Sequence, residues 1–187
     1  MRADKNALQA GFTLVELLIV VIILAVLAAI IVPQFSSATI DAKEAALDAN
    51  LARLRSAIEL YNAQHSGDYP GKNASSGGPT CTGGTLGSGA AQTAQAFIDQ
   101  MTMYSTASGA TCTLGDSTNY KFGPYIRKGI PADSILNSAA VALNPGTAGS
   151  PLAPAAATGG WMYDYKSGQI VMNSNGNDSK GKAYSTH

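Results

Sequence analysis

Histidine, cysteine, tryptophan and charge are all scarce in this sequence of 187 residues, and each shortage removes a class of function. There are two histidines, His65 and His187, and two cysteines, Cys81 and Cys112, with no metal-spaced cluster, no Gly-x-Ser-x-Gly and no phosphate-binding glycine loop. An enzyme of the hydrolytic, metal-dependent or nucleotide-dependent kinds would lack its apparatus. Charged side chains make up 13% and the formal net charge is zero, so no broad basic field is available for nucleic acid, and none is expected as a partner. Cys81 and Cys112 lie in Gly/Ser/Thr-rich surroundings without CxxC spacing. A disulfide fits them better than two free thiols, as in an exported domain.

What the sequence does have is one long apolar run. From Phe12 to Val32 it is 21 residues long, enough to cross a hydrocarbon core of about 30 Å at about 1.5 Å per helical residue. Its conspicuous flaw is Glu16, close to the start. A carboxylate in hydrocarbon is costly, so an intramembrane acid is a functional-site candidate that needs a partner. The natural partner here is an amino terminus.

Residues 1–11 are polar, with Arg2, Lys5 and Asp4, and abut the run without the small-residue cleavage signal of a secretory peptide at its far end. The order polar leader, Gly11, Phe12, then Glu16 four residues on resembles the type IV prepilin family, including the pseudopilins of type II secretion. The resemblance implies cleavage of the Gly11-Phe12 bond by a membrane peptidase and methylation of the Phe12 amine. It also implies an assembly role for Glu16, and it matches Pro33 to the proline that often follows the membrane segment. Of twelve basic and twelve acidic side chains, loss of Arg2, Lys5 and Asp4 would leave ten and eleven.

Beyond the run, the helix is expected to continue to about Ala63, for a length of about 80 Å. Leu47, Leu51, Leu54, Ile58 and Tyr61 step by four and three, an apolar stripe that needs cover, while Lys43, Glu44, Asp48, Arg53, Arg55 and Glu59 occupy the other faces. Pro33 removes one backbone hydrogen bond, which predicts a kink or local melting between Ile30 and Ser36. Gly67 and Pro70 end the helix, and Tyr69-Pro70 after it is typical of the pseudopilin branch. His65 reads as a surface turn residue.

Residues 71–89 read as a Gly/Ser/Thr loop too poor in apolar side chains to order itself, tethered by Cys81. A second helix is predicted from Ala90 to Tyr104, capped by Ser88, with Ala94, Phe97, Ile98, Met101 and Tyr104 on one face. The string between Asn119 and Ile130 suits a short extended segment, and residues 137–160 a surface loop. Trp161–Tyr165 and Gln169–Asn173, joined by Lys166-Ser167-Gly168, predict an antiparallel hairpin. The tail from Asn173 sits where major pseudopilins often hold calcium. It offers one carboxylate, Asp178, with Asn173, Asn175 and Asn177, a poor match to a cation that prefers several carboxylates, so no cofactor is expected and calcium is a minor alternative.

The expected architecture is α+β and pilin-like: a long N-terminal helix, transmembrane then amphipathic, packed against a small antiparallel sheet. Its parts would be a leader at 1–11, a membrane and filament-core helix at 12–33, its amphipathic continuation at 34–64, and a periplasmic or extracellular domain at 65–187. The function implied is that of a filament subunit, most closely a pseudopilin of a type II secretion system. The alternative is a type IV pilin of a surface fibre for adhesion or twitching motility. Its partners would be further copies of itself, the prepilin peptidase, an inner-membrane assembly platform, minor pilins or pseudopilins, and the membrane.

Overall fold

The computed structural model describes residues 12–146 and 150–187. Gly11 and the rest of the expected leader lie outside the described residues. Helix α1, Leu14–Gln64, runs unbroken through Pro33, so the local melting expected there is absent. One missing backbone hydrogen bond is a small loss inside a helix of 51 residues, whose flanking turns are intact. The chain divides into two compact units, one ending at Asp41 and one running from Ala42 to His187.

In the first unit the large apolar side chains from Phe12 to Ile40 are all exposed. Among the described residues α1 is the one helix long and apolar enough to cross a membrane.

The second unit is built on the amphipathic stripe. Leu47, Leu51, Leu54, Ile58 and Tyr61 are buried, at no more than 1% exposure. Against them lie Phe97 and Met101 from helix α2, Ala94–Thr102, Ile126 from an extended segment, and Trp161, Tyr163, Ile170 and Met172 from the sheet. Burying a side chain of this size is worth about 1.5–3 kcal/mol, so the stripe and the side chains that cover it together form the main apolar core of the body.

Helix α2 is shorter than its apolar spacing predicts. It begins after Thr93, whose hydroxyl accepts from the Ala96 N–H, and not after Ser88, whose own N–H is committed to Asp99 Oδ2 at 2.9 Å. Two short strands follow, β1 at Tyr104–Ser105 and β2 at Thr111–Cys112, paired antiparallel. The remaining strands are β3 at Val141–Leu143, β4 at Trp161–Tyr163 and β5 at Ile170–Met172, in the order β3-β4-β5. The expected hairpin is β4-β5, antiparallel, with Tyr163 opposite Ile170. The sheet is mixed, because β3 lies parallel to β4 in a stretch whose Ala, Pro and Gly content reads as loop. Asp133 makes this possible: burial alone would raise its carboxyl, but the N–H groups of Gly160, Leu136, Ser138 and Ile135 together hold it below its ordinary value and pin the approach to β3.

The 71–89 loop is ordered by more than Cys81. Cys81 and Cys112 form a disulfide, but Asp99 on α2, 1% exposed, is a second anchor. It accepts from Ser75 Oγ at 2.6 Å, Ser88 N at 2.9 Å and Gln95 Nε2 at 2.6 Å. A buried carboxylate with this many donors substitutes for the apolar core the loop lacks. The polar face of α1 is used as well. Glu44 accepts from Ser179 N and Oγ at 2.7 and 2.8 Å, Asp48 meets His187 Nδ1 at 2.8 Å, and Arg55 donates to the backbone oxygens of Ile170 and His187 at 3.3 and 2.5 Å.

Candidate functional site

Phe12, Thr13 and Glu16 form the first turn of the apolar unit. Phe12 is 86% exposed. The Glu16 carboxylate folds back on Thr13, Oε2 accepting from both Thr13 N and Thr13 Oγ1 at 2.8 Å, while Glu16 N donates to Thr13 Oγ1 at 3.2 Å. This reciprocal arrangement is a capping box, which satisfies donors left orphaned at the start of a helix. Thr-x-x-Glu at the head of an apolar run is its sequence signature, and it is the signal the reading of Glu16 as a lone acid overlooks. In a single subunit Glu16 is thus partnered within its own turn, and Oε1 has no hydrogen-bond partner among the described residues.

The model of the prokaryotic N-terminal methylation motif matches residues 6–32, the stretch that contains this turn. The chain carries a prepilin-type methylation motif. Known proteins are similar to the chain over part of their length. The fimbrial protein of Neisseria meningitidis serogroup B is 39% identical over 72 residues, 38% of this chain and 42% of the relative. The type IV narrow pilus major component of Thermus thermophilus is 46% identical over 57 residues, 30% of this chain and 49% of the relative. The type II secretion system core protein G of Pseudomonas aeruginosa is 40% identical over 53 residues, 28% of this chain and 37% of the relative. The chain therefore spans less than half the length of these relatives. No solved structure gives a significant match.

Other residues singled out from the sequence are dispersed. Pro33 lies inside α1, five turns from Glu16 at about 3.6 residues per turn. The calcium candidates are engaged separately: Asn173 Nδ2 donates to Thr158 Oγ1, and Asn175 Nδ2 to the Ala155 carbonyl. Asp178 Oδ1 takes the N–H groups of Lys180 and Lys182, and its Oδ2 lies 3.3 Å from His187 Nε2. A calcium ion would need several oxygens converging on one point, and the one carboxylate here, Asp178, is committed to the backbone of its own turn. Among the described residues no group of three or more His, Cys, Asp or Glu is placed to hold a metal.

His65 is a correction to the sequence reading. It is 2% exposed, stacked on Tyr61 at 3.7 Å between ring centroids, with Nδ1 at 2.9 Å from the Tyr61 carbonyl and Nε2 at 3.1 Å from Ser105 Oγ. Burial lowers its pKa from the ordinary 6.5, against the opposing hydrogen bonds to the Tyr61 and Thr106 backbone and the charge of Asp68. It is a packing residue that fastens the end of α1 to β1.

Proposed function

We propose that the chain is the subunit of a helical filament of the type IV pilus class, held in the bacterial inner membrane by residues 12–33 until it assembles. The observation that supports this best is the apolar face from Phe12 to Val32, exposed throughout and interrupted by one carboxylate a turn from Phe12. The prepilin peptidase would cut Gly11-Phe12 and methylate the Phe12 amine, leaving the body on the periplasmic side. During assembly the apolar helix leaves lipid for the filament core. There an unpaired Glu16 would cost several kcal/mol, and the Phe12 ammonium of a neighbouring copy would supply a charge-assisted hydrogen bond that fixes the stagger between helices. The assembly platform and minor subunits would be the remaining partners.

Between the two branches, the pseudopilin reading is favoured by Tyr69-Pro70 and the late hairpin. The surface-fibre reading is favoured by the disulfide-closed loop and by the similarity to fimbrial proteins. Intact mass of membrane-extracted protein should give a chain beginning at N-methylated Phe12, and Gly11→Val should block processing because the scissile bond needs an unhindered backbone. Normal cleavage in that variant would sink the proposal. Deleting the gene should then either trap secreted proteins in the periplasm or remove surface fibres, which separates the two branches.

A further inference from the structure

We propose that a cleft on the body lined by Gly67, Tyr69, Lys72, Gln92, Tyr165 and Lys166 binds a carboxylate-bearing saccharide. Three stretches distant in sequence meet there: the turn after α1, the segment before α2, and the β4-β5 connection. Its volume of about 420 Å³ lies within the range of small-molecule sites and suits one or two sugar rings.

The walls are held in place. A Cβ on Gly168, at φ +73, would come within 2.3 Å of the Tyr69 ring, so glycine there lets the ring lie against the β4-β5 turn. Among the described residues Gln92 is one of three non-glycine residues with positive φ, at +63. That conformation is unfavourable for a side chain of its kind, and such residues cluster where a group must be aimed. Its N–H donates to the Gly71 carbonyl at 2.8 Å, and its Oε1 accepts from the Tyr165 hydroxyl at 2.9 Å. The amide nitrogen keeps its two donors, with no acceptor among the described residues.

Lys166 is exposed and likewise has no acceptor among the described residues, whereas Lys72 shares its charge with Asp68. The cleft thus presents a surplus of donors, one uncompensated positive charge and the half-buried ring of Tyr69, since Tyr165 packs in the core with its hydroxyl turned to Gln92. An inorganic anion makes no use of the Tyr69 ring. A pyranose acid satisfies all three features: its C–H face packs on an aromatic side chain, its hydroxyls accept from Gln92, and its carboxylate pairs with Lys166.

The test uses the full chain, unassembled in detergent micelles, so its outcome is independent of filament formation. Backbone amide shifts are followed during titration with a galacturonic acid trisaccharide, a neutral galactose trisaccharide and a triglutamate peptide. Saturable shifts at the lining residues are expected with the first alone. Lys166→Gln should weaken binding about tenfold, the effect of losing one charge-assisted contact. Gln92→Glu, which keeps an acceptor for Tyr165 but replaces the donors with a negative charge, should abolish it. Both positions are exposed, so the variants should retain the wild-type spectrum. The proposal is overturned by no saturation up to about 10 mM, well beyond millimolar affinity, by unchanged binding in both variants, or by equal binding of the neutral sugar or the peptide.

Discussion

Leu24 and Leu54 occupy the same helix and differ as much as two leucines can: Leu24 is 58% exposed and Leu54 is fully buried. The apolar half of α1 is hydrophobic all round, and among the described residues its large apolar side chains are exposed. The half beyond Asp41 is hydrophobic on one stripe and is covered by α2 and the β3-β4-β5 sheet. A helix that is apolar on every face needs apolar surroundings from outside the subunit, whereas one with a single stripe can be completed by its own chain. Under the proposed function the first half would serve membrane and assembly, whereas the second holds the body's own core.

The sharpest way to break that division is Glu16→Ala. It should leave membrane insertion and Gly11-Phe12 cleavage intact while abolishing or strongly reducing filaments, and Glu16→Gln should rescue poorly because the charge is lost. Filament yield by shearing, in cells without another copy of the gene, reads the effect. Wild-type yield from Glu16→Ala would remove the carboxylate from the assembly mechanism.

Next in size is a paired truncation. Leu54→Ala should destabilise the body by about 2–5 kcal/mol, the usual cost of a large-to-small change in a packed core. Leu24→Ala should leave thermal unfolding of the body in detergent unchanged. Equal effects would show that the two halves do not divide their roles.

Replacing Cys81 and Cys112 together by serine should cost roughly 2–4 kcal/mol, given the 31-residue separation of the bridged positions. Proteolysis within 71–89 should increase only modestly, because Asp99 still holds Ser75 and Ser88. Complete collapse of the loop on loss of the bridge would demote Asp99 as an anchor.

The smallest expected effect is in pH dependence and is confined to the body. His65 has a folded pKa below its unfolded 6.5. Between those values the unfolded chain binds more protons, so stability rises with pH across that window and falls on acidification from about 6.5 downward. Unfolding midpoints measured from pH 7.5 to 4.5 should fall in wild type and fall less in His65→Asn. Parallel curves would assign the acid sensitivity to other groups.

The stripe from Leu47 to Tyr61 was legible in the sequence because helical periodicity survives any tertiary context. The β4-β5 hairpin was legible because Trp161, Tyr163 and Ile170 carry strand preference on both sides of a glycine turn. Strand β3 was not, since Val141-Ala142-Leu143 is short and the approach to it is pinned by Asp133, which gathers three local N–H groups and that of Gly160, 27 positions on. His65 was misread for a similar reason: its burial is decided by Ser105, forty positions on. At the candidate site, the acid at position 16 stood out as a charge in an apolar run. Its tie to Thr13 is written in the Thr-x-x-Glu spacing, a signal of helix capping and not of charge.

Glu44, Asp48 and Arg55, one and then two turns apart, lie near the start of the body, and each grips the stretch between Ser179 and His187 or the strand before it. The beginning and the end of the folded unit are therefore clasped to each other. Neither edge can fray alone, because releasing residues 179–187 strips partners from the helix, and loosening the helix there releases the tail. Local opening at the two edges should be coupled, so that amide exchange near Ala45 and near Tyr184 proceeds at matched rates and the unit opens cooperatively.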